Sequence, residues 1–281
     1  MNDIFDPIIE ELFGQDIGIY GPIHFFDYLD ENGIKRVSAP RYISVDSLEV
    51  LSKTLQNNDA MVMRLGQGNF VIVKTKNKLK DFFLVDKDIF TEEGELFYPQ
   101  LQINQLKAYK FLPKLTENSL VNLGFSSGLI SYALNLDNSN PIFPPATCNS
   151  TFTFEFLPLS SAEKTLTHKQ GQVEIDAMFV EKRNGKETLF IIEAKSGNTH
   201  KSLAKHKLVY PILGIANNVP SDIQIVPVYI KVISNQKAIH YHIVECEFPN
   251  PRERITAYTE LKIKNYKHMV LPIEILNGEG N

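Results

Sequence analysis

Residues 171–197, GQVEIDAMFVEKRNGKETLFIIEAKSG, limit what this chain can fold into more than any other stretch. Two apolar arms, 173–180 and 188–194, meet through Arg183-Asn184-Gly185-Lys186. Asn-Gly between such arms predicts a β-hairpin, because a two-residue type I′ turn needs φ > 0 at both central positions. With Asn184-Gly185 as the turn, Arg183 faces Lys186. Counting back along both arms then sets Asp176 opposite Glu193 and Glu174 opposite Lys195. The same side carries Met178 against Ile191 and Val180 against Leu189. The other side, Ile175, Ala177 and Phe179 against Ala194, Ile192 and Phe190, is wholly apolar. A hairpin largely apolar on both sides belongs inside a sheet covered on each face, with its charged end at the rim.

Directly opposed side chains have Cβ atoms roughly 4.5–5.5 Å apart, and like charges there destabilise a sheet. With nothing between them, Asp176 and Glu193 raise one another's pKa. A divalent cation removes the conflict, and magnesium is commonly held by one or two carboxylates with water and substrate phosphates. The plainer reading is a set of solvated charges at strand ends, with Glu174 and Lys195 as a structural ion pair.

Ile175-Asp176 on one strand, followed by Glu193-Ala194-Lys195 on the next, resembles the PD-(D/E)xK nuclease signature with Ile175 in place of the proline. The resemblance covers residues 117–217 and implies metal-dependent cleavage of a phosphodiester. It makes Asp176 and Glu193 metal ligands and the Ala194 carbonyl a candidate third. Lys195 orients or activates the attacking water and stabilises charge on the phosphorane. The implied cofactor is Mg²⁺, with Mn²⁺ as a substitute. Members often carry a further acid upstream, and Glu117, Glu155 and Glu174 are the candidates. Glu117 equally suits a helix-dipole carboxylate, and Glu174 the ion-pair partner of Lys195. Some relatives also place a polar residue four before a tyrosine on the helix after the core. His206 and Tyr210 stand in that relation, although His206 equally suits a surface histidine.

Elsewhere the pattern gives a helix from Asp6, a second over 46–55, and strands over 60–65 and 69–75 joined at Gly66-Gln67-Gly68. A third strand is expected over 81–86. Lys74, Lys76, Lys78 and Lys80 alternate around the connection, which suits either DNA phosphate contacts or a solvated turn. Thr116 caps a long predicted helix over 117–136, in which Gly124 and Gly128 allow close approach of another element. A strand follows over 151–157, then a polar loop over 160–170 containing Lys169. A helix over 200–217 is expected to present Lys201 and Lys205 one turn apart, which with Lys169, His206 and Tyr210 are candidate DNA contacts, and Pro211 to kink it. Residues 223–232 and 238–248 read as a second hairpin, with Pro227 marking an edge or a bulge. Residues 255–267 carry Lys262, Lys264 and Lys267, on a solvated helix face or a DNA-facing element.

The net charge of −4 argues against a non-specific polyanion binder but leaves room for a local basic groove. Cys148 and Cys246 are the only cysteines, and without a leader or an apolar run of ~18 residues the expectation is a cytoplasmic protein with no disulfide and no membrane contact. The expected fold is α/β: a restriction-endonuclease-like core, a mixed central sheet flanked by helices, over 113–281. An N-terminal α+β domain over 1–112 is a candidate DNA-recognition module. The expected function is that of a Mg²⁺-dependent endonuclease acting on double-stranded DNA, similar to type II restriction enzymes and by analogy a homodimer. The alternatives are a repair or junction nuclease without a fixed target, and a catalytically inactive DNA-binding protein.

Overall fold

A computed structural model describes residues 3–12, 14–100, 103–138 and 144–277. Its centre is the hairpin of β7 (Leu166–Arg183) and β8 (Lys186–Ser196), turning at Asn184 and Gly185 with φ of 54° and 75°. The Asp137 carboxylate accepts both turn amides, each at 2.8 Å. The ladder runs in the expected register from Arg183–Lys186 back to Ala177–Ile192 and stops there. Asp176 therefore does not face Glu193 as a ladder pair, nor Glu174 Lys195. The Asp176 carboxylate instead accepts the Ala194 N–H at 2.9 Å.

The cause lies on the other edge of β7. Strand β6 (Ala146–Phe156) pairs Ala146 with Met178 but Cys148 with Ile175, so β7 carries one residue more than its partner across that step. Such a bulge bends a strand and re-aims its side chains. Ile175 consequently packs with Leu189, Ile191 and Ile212, while Ala177 and Phe179 pack with Leu123 and Phe125. The expected single apolar row of Ile175, Ala177 and Phe179 is thus broken at Asp176.

Four further strands complete the sheet: β5 (Glu95–Leu96), β10 (Gln224–Ser234), β11 (Ala238–Glu247) and β12 (Lys262–Pro272). The order is β5-β12-β11-β10-β8-β7-β6, with β8 parallel to β10 and β12 parallel to β5. Strand β10 is central, not an edge. Pro227 is accommodated because the β11 ladder begins only at Val228. Residues 262–267, expected on a helix, lie instead on β12. Helix Glu117–Ser126, capped by the Thr116 hydroxyl as expected, covers one face with Leu120, Leu123 and Phe125. Gly128, at φ 77°, ends that run and helix Leu129–Ala133 follows, so the single long helix is two. Helix His206–Ile215 covers the opposite face through Leu208, Val209 and Ile212. The protein is therefore mixed α/β, a large mixed sheet flanked by helices.

In the N-terminal segment, β2 (Ala60–Gly66) and β3 (Asn69–Lys74) form as expected, but their third strand is β1 (Gly18–His24). Strand β4 (Phe83–Val85) pairs instead with β9 (Ser202–Ala204). That pairing delays the following helix to His206. Where a helix over 46–55 is expected, a 3₁₀ turn Leu48–Val50 precedes helix Lys53–Asn57. The expected loop over 160–170 is shortened because β7 begins at Leu166. The expected boundary at residue 112 is crossed by two strand pairings, β4 with β9 and β5 with β12. No helix among the described residues is long and apolar enough to cross a membrane.

The three-stranded sheet touches β7 at Gly66, whose φ is 85°. A Cβ there would lie 2.2 Å from the Lys169 carbonyl oxygen and 2.9 Å from the Gly171 Cα. Both neighbours are backbone and yield only if the two sheets part. Gly66→Ala is expected to lower the unfolding free energy by at least about 2 kcal/mol in chemical denaturation, from left-handed strain and the clash together. A loss under ~0.5 kcal/mol, the range of an unconstrained surface site, would contradict that contact.

Candidate metal centre

Where the hairpin ladder ends, Asp176 and Glu193 come together with two ammonium groups. Glu193 is 1% exposed, because neighbouring strands and helix His206–Ile215 enclose it. Its Oε1 lies 2.7 Å from Lys195 Nζ and 3.3 Å from Lys207 Nζ. Neither carboxylate oxygen meets hydrogen-bond geometry with a described residue, so the two lysines balance the charge without saturating its acceptors. A buried carboxylate oxygen left this way costs free energy unless something outside the chain satisfies it. Burial pushes the Glu193 carboxyl up to about 7. Lys207 and Lys195 oppose the shift, and the Asp176 charge adds to it. Burial disfavours the Lys195 and Lys207 ammonium groups too, but the surrounding carboxylates together, Glu193 foremost, raise both.

The donor set suits a hard divalent cation. Asp176 keeps one oxygen on the Ala194 amide, and Glu193, close enough to feel its charge, makes no aligned hydrogen bond, which gives two carboxylates at one place. Among the described residues, no three His, Cys, Asp or Glu side chains gather to hold a metal. A cation here would complete its shell from water and substrate, as magnesium commonly does.

The other expected residues divide. Ala194 is buried and its amide serves Asp176. Glu117, half-buried in the first turn of its helix, is near enough for its charge to raise Lys195. Glu155 is removed from the site: it pairs with Thr167, about 20 Å along β6 from Asn149, the partner of Glu174. The cation nearest Glu174 is Lys207, at 4.0 Å, rather than Lys195.

Of the expected DNA contacts, Lys74 is half-buried in β3, and Lys76 pairs with Asp16 at 3.0 Å. Lys78 opens the 3₁₀ turn Lys78–Asp81, and its side chain lies outside the described residues. Lys169 is exposed on β7. Lys201 and Lys205 do not share a helix face, because β9 stands between Lys201 and the helix, and Lys205 is buried at its start. His206 and Tyr210 do share one. They line a cleft of ≈ 230 Å³ with Asp46, Arg64, Glu174 and Lys207. Arg64 donates to Ser44 Oγ (3.1 Å) and to the Gln172 carbonyl (2.6 Å), so the N-terminal segment forms one wall. Tyr210 donates to the Arg64 carbonyl at 3.2 Å.

Lys207, Arg64 and Asp46 are the residues that sequence reasoning missed. The signal for Lys207 was its place in the first turn of the helix after the ExK strand, beside the singled-out His206. Arg64 and Asp46 reach the cleft only through long-range packing. A buried pair beneath the centre was missed as well. Lys231, the parallel-ladder partner of Lys195, lies 3.6 Å from Asp86 and donates to the His200 carbonyl.

A family model described as a domain of unknown function, DUF6997, matches residues 89–267, more than half of the chain. No curated protein and no solved structure matches it.

Burial pushes the His206 imidazole down to about 3. The Lys207 and Arg64 charges add to this, and Asp46, 4.0 Å away, partly counters it. Its position as the first residue of its helix also disfavours a cation. His206 is therefore a neutral wall of the cleft at pH 7. An unfolded imidazole binds its proton near 6.5, so the folded ring's lower pKa gives stability that is present above about pH 6.5 and lost as pH falls toward 3. In NMR titration the His206 ring is expected to stay neutral to pH 5, and His206→Gln to flatten the acid limb of stability. A midpoint near 6.5 would contradict its burial.

Proposed function

The chain belongs to the DUF6997 family, and we propose that it is a metal-dependent DNA endonuclease with a restriction-endonuclease-like core, related to the PD-(D/E)xK nucleases. One observation carries the reading. Glu193, on the strand that also bears Lys195, is buried beside Asp176 with neither oxygen in an aligned hydrogen bond to a described residue. The Asp–ExK spacing read from the sequence thus coincides with a buried carboxylate pair and two lysines at the end of the ladder. A buried carboxylate without aligned hydrogen bonds calls for a partner from outside the chain, and a hard cation supplies one.

In this reading Asp176 and Glu193 hold Mg²⁺, which when bound supplies charge neutralisation at the phosphate and a more acidic water. Asp176 is fixed for that task by the Ala194 amide, and Glu193 by its enclosure. Lys195, an ammonium group 2.7 Å from Glu193, holds a water in line and steadies the charge that develops on phosphorus. The cleft beside the centre admits the strand. Arg64 and Asp46 bring the N-terminal segment to its wall, which supports sequence discrimination close to the cut. Two strands need two cuts, and a homodimer of this chain supplies both centres.

Purified protein incubated with unmethylated phage DNA is expected to give discrete fragments with Mg²⁺ and none with EDTA. A smear would favour a repair or junction nuclease, and intact DNA in every condition would favour the inactive binding protein. Asp176→Asn, Glu193→Gln and Lys195→Met are each expected to slow single-turnover cleavage by at least ~10²-fold while gel shift still detects DNA binding. Undiminished cleavage by all three would overturn the assignment.

A further inference from the structure

Lys207 has no place in the signature that singles out Asp176, Glu193 and Lys195, yet it stands at the same carboxylate. Its side chain is 14% exposed, its Nζ is 3.3 Å from Glu193 Oε1, and a second carboxylate, Glu174 Oε2, lies 4.0 Å from the same nitrogen. It also lines the cleft with Arg64, Asp46 and His206. Helix His206–Ile215 brings it in from outside the sheet, whereas Lys195 comes from the strand that carries Glu193.

Charge counting makes this position informative. Asp176 and Glu193 against Lys195 and Lys207 sum to zero. With Glu174, 4.0 Å from Lys207, the sum is −1, so a divalent cation leaves a surplus positive charge in a poorly solvated place unless an ammonium group withdraws or a phosphate arrives. Of the two lysines, Lys207 has the longer contact to Glu193, a second carboxylate within reach, and an open cleft beside it.

Resting on the metal-centre reading above, we propose that Lys207 is a positioning residue that stands in for the metal: it balances Glu193 in the metal-free protein and exchanges to Glu174 and a DNA phosphate in the cleft when Mg²⁺ binds. Metal and DNA then each remove a cost that the other would meet, so each tightens the other's binding, a reciprocity that any such linkage requires. Glu174 is on this view the second seat of Lys207, not a metal ligand.

The test is Mg²⁺ titration by calorimetry at pH 8.5, without DNA and with a non-cleavable phosphorothioate duplex. It compares wild type with Lys207→Met, Lys207→Gln and Lys207→Arg, each checked for folding by its thermal transition. Without DNA, the two neutral variants are expected to bind Mg²⁺ at least ~10-fold more tightly than wild type, since a cation has left the centre. Lys207→Arg is expected to stay within about threefold of wild type, a factor worth less than 1 kcal/mol. The duplex is expected to tighten Mg²⁺ binding more in wild type than in the neutral variants. Unchanged or weaker binding by both neutral variants would overturn the exchange while leaving the metal centre standing. No Mg²⁺ binding by wild type or any variant, with or without DNA, would overturn the metal centre itself.

Discussion

The extra residue in β7 at Asp176 is the constraint on which the rest of the site depends. Without it, the hairpin ladder would continue past Ala177–Ile192 and set two carboxylates face to face at the distance of a ladder pair. With it, the ladder ends, Asp176 takes the Ala194 amide, and Glu193 is enclosed beside it instead of opposing it. The bulge also turns Ile175 toward helix His206–Ile215 and leaves Ala177 and Phe179 on the far face. The two helical layers are thus anchored on either side of the same break.

Burial then does what the bulge alone cannot. A carboxylate in water gains little from a nearby lysine, whereas an enclosed one must be balanced or lose its charge. Two lysines balance the Glu193 charge, yet neither of its oxygens makes an aligned hydrogen bond to a described residue. The N-terminal segment closes the remaining side. Gly66 meets the backbone of β7, Arg64 reaches the Gln172 carbonyl, and the cleft forms where those contacts leave a gap beside helix His206–Ile215. In the proposed function, recognition and chemistry share one wall.

Much of this was legible from local pattern. The Asn184-Gly185 turn, the register up to Ala177–Ile192, the Gly66–Gly68 hairpin and the Thr116 cap follow from residue chemistry that acts within a few positions. What was not legible depends on partners distant in sequence. The bulge at Asp176 is a property of the β6–β7 pairing. Helix His206–Ile215 starts late because Ser202–Ala204 pairs with Phe83–Val85, which displaced Lys201 and Lys205 from the face assigned to them. Residues 262–267 carry lysines and a tyrosine on a strand, where solvated helix and strand compositions overlap. Helical spacing identified the face of His206 and Tyr210 but not that Lys207 would meet Glu193, since periodicity shows which residues share a side and not what that side faces.

The most direct measurement is the anomalous diffraction of crystals soaked in Mn²⁺. A peak between Asp176 and Glu193, roughly 2.1–2.3 Å from a carboxylate oxygen of each, is the expected result for a hard cation bound there. A well-occupied manganese site elsewhere, with Glu193 still held by Lys195 and Lys207, would contradict the metal centre and leave these charges as a structural cluster.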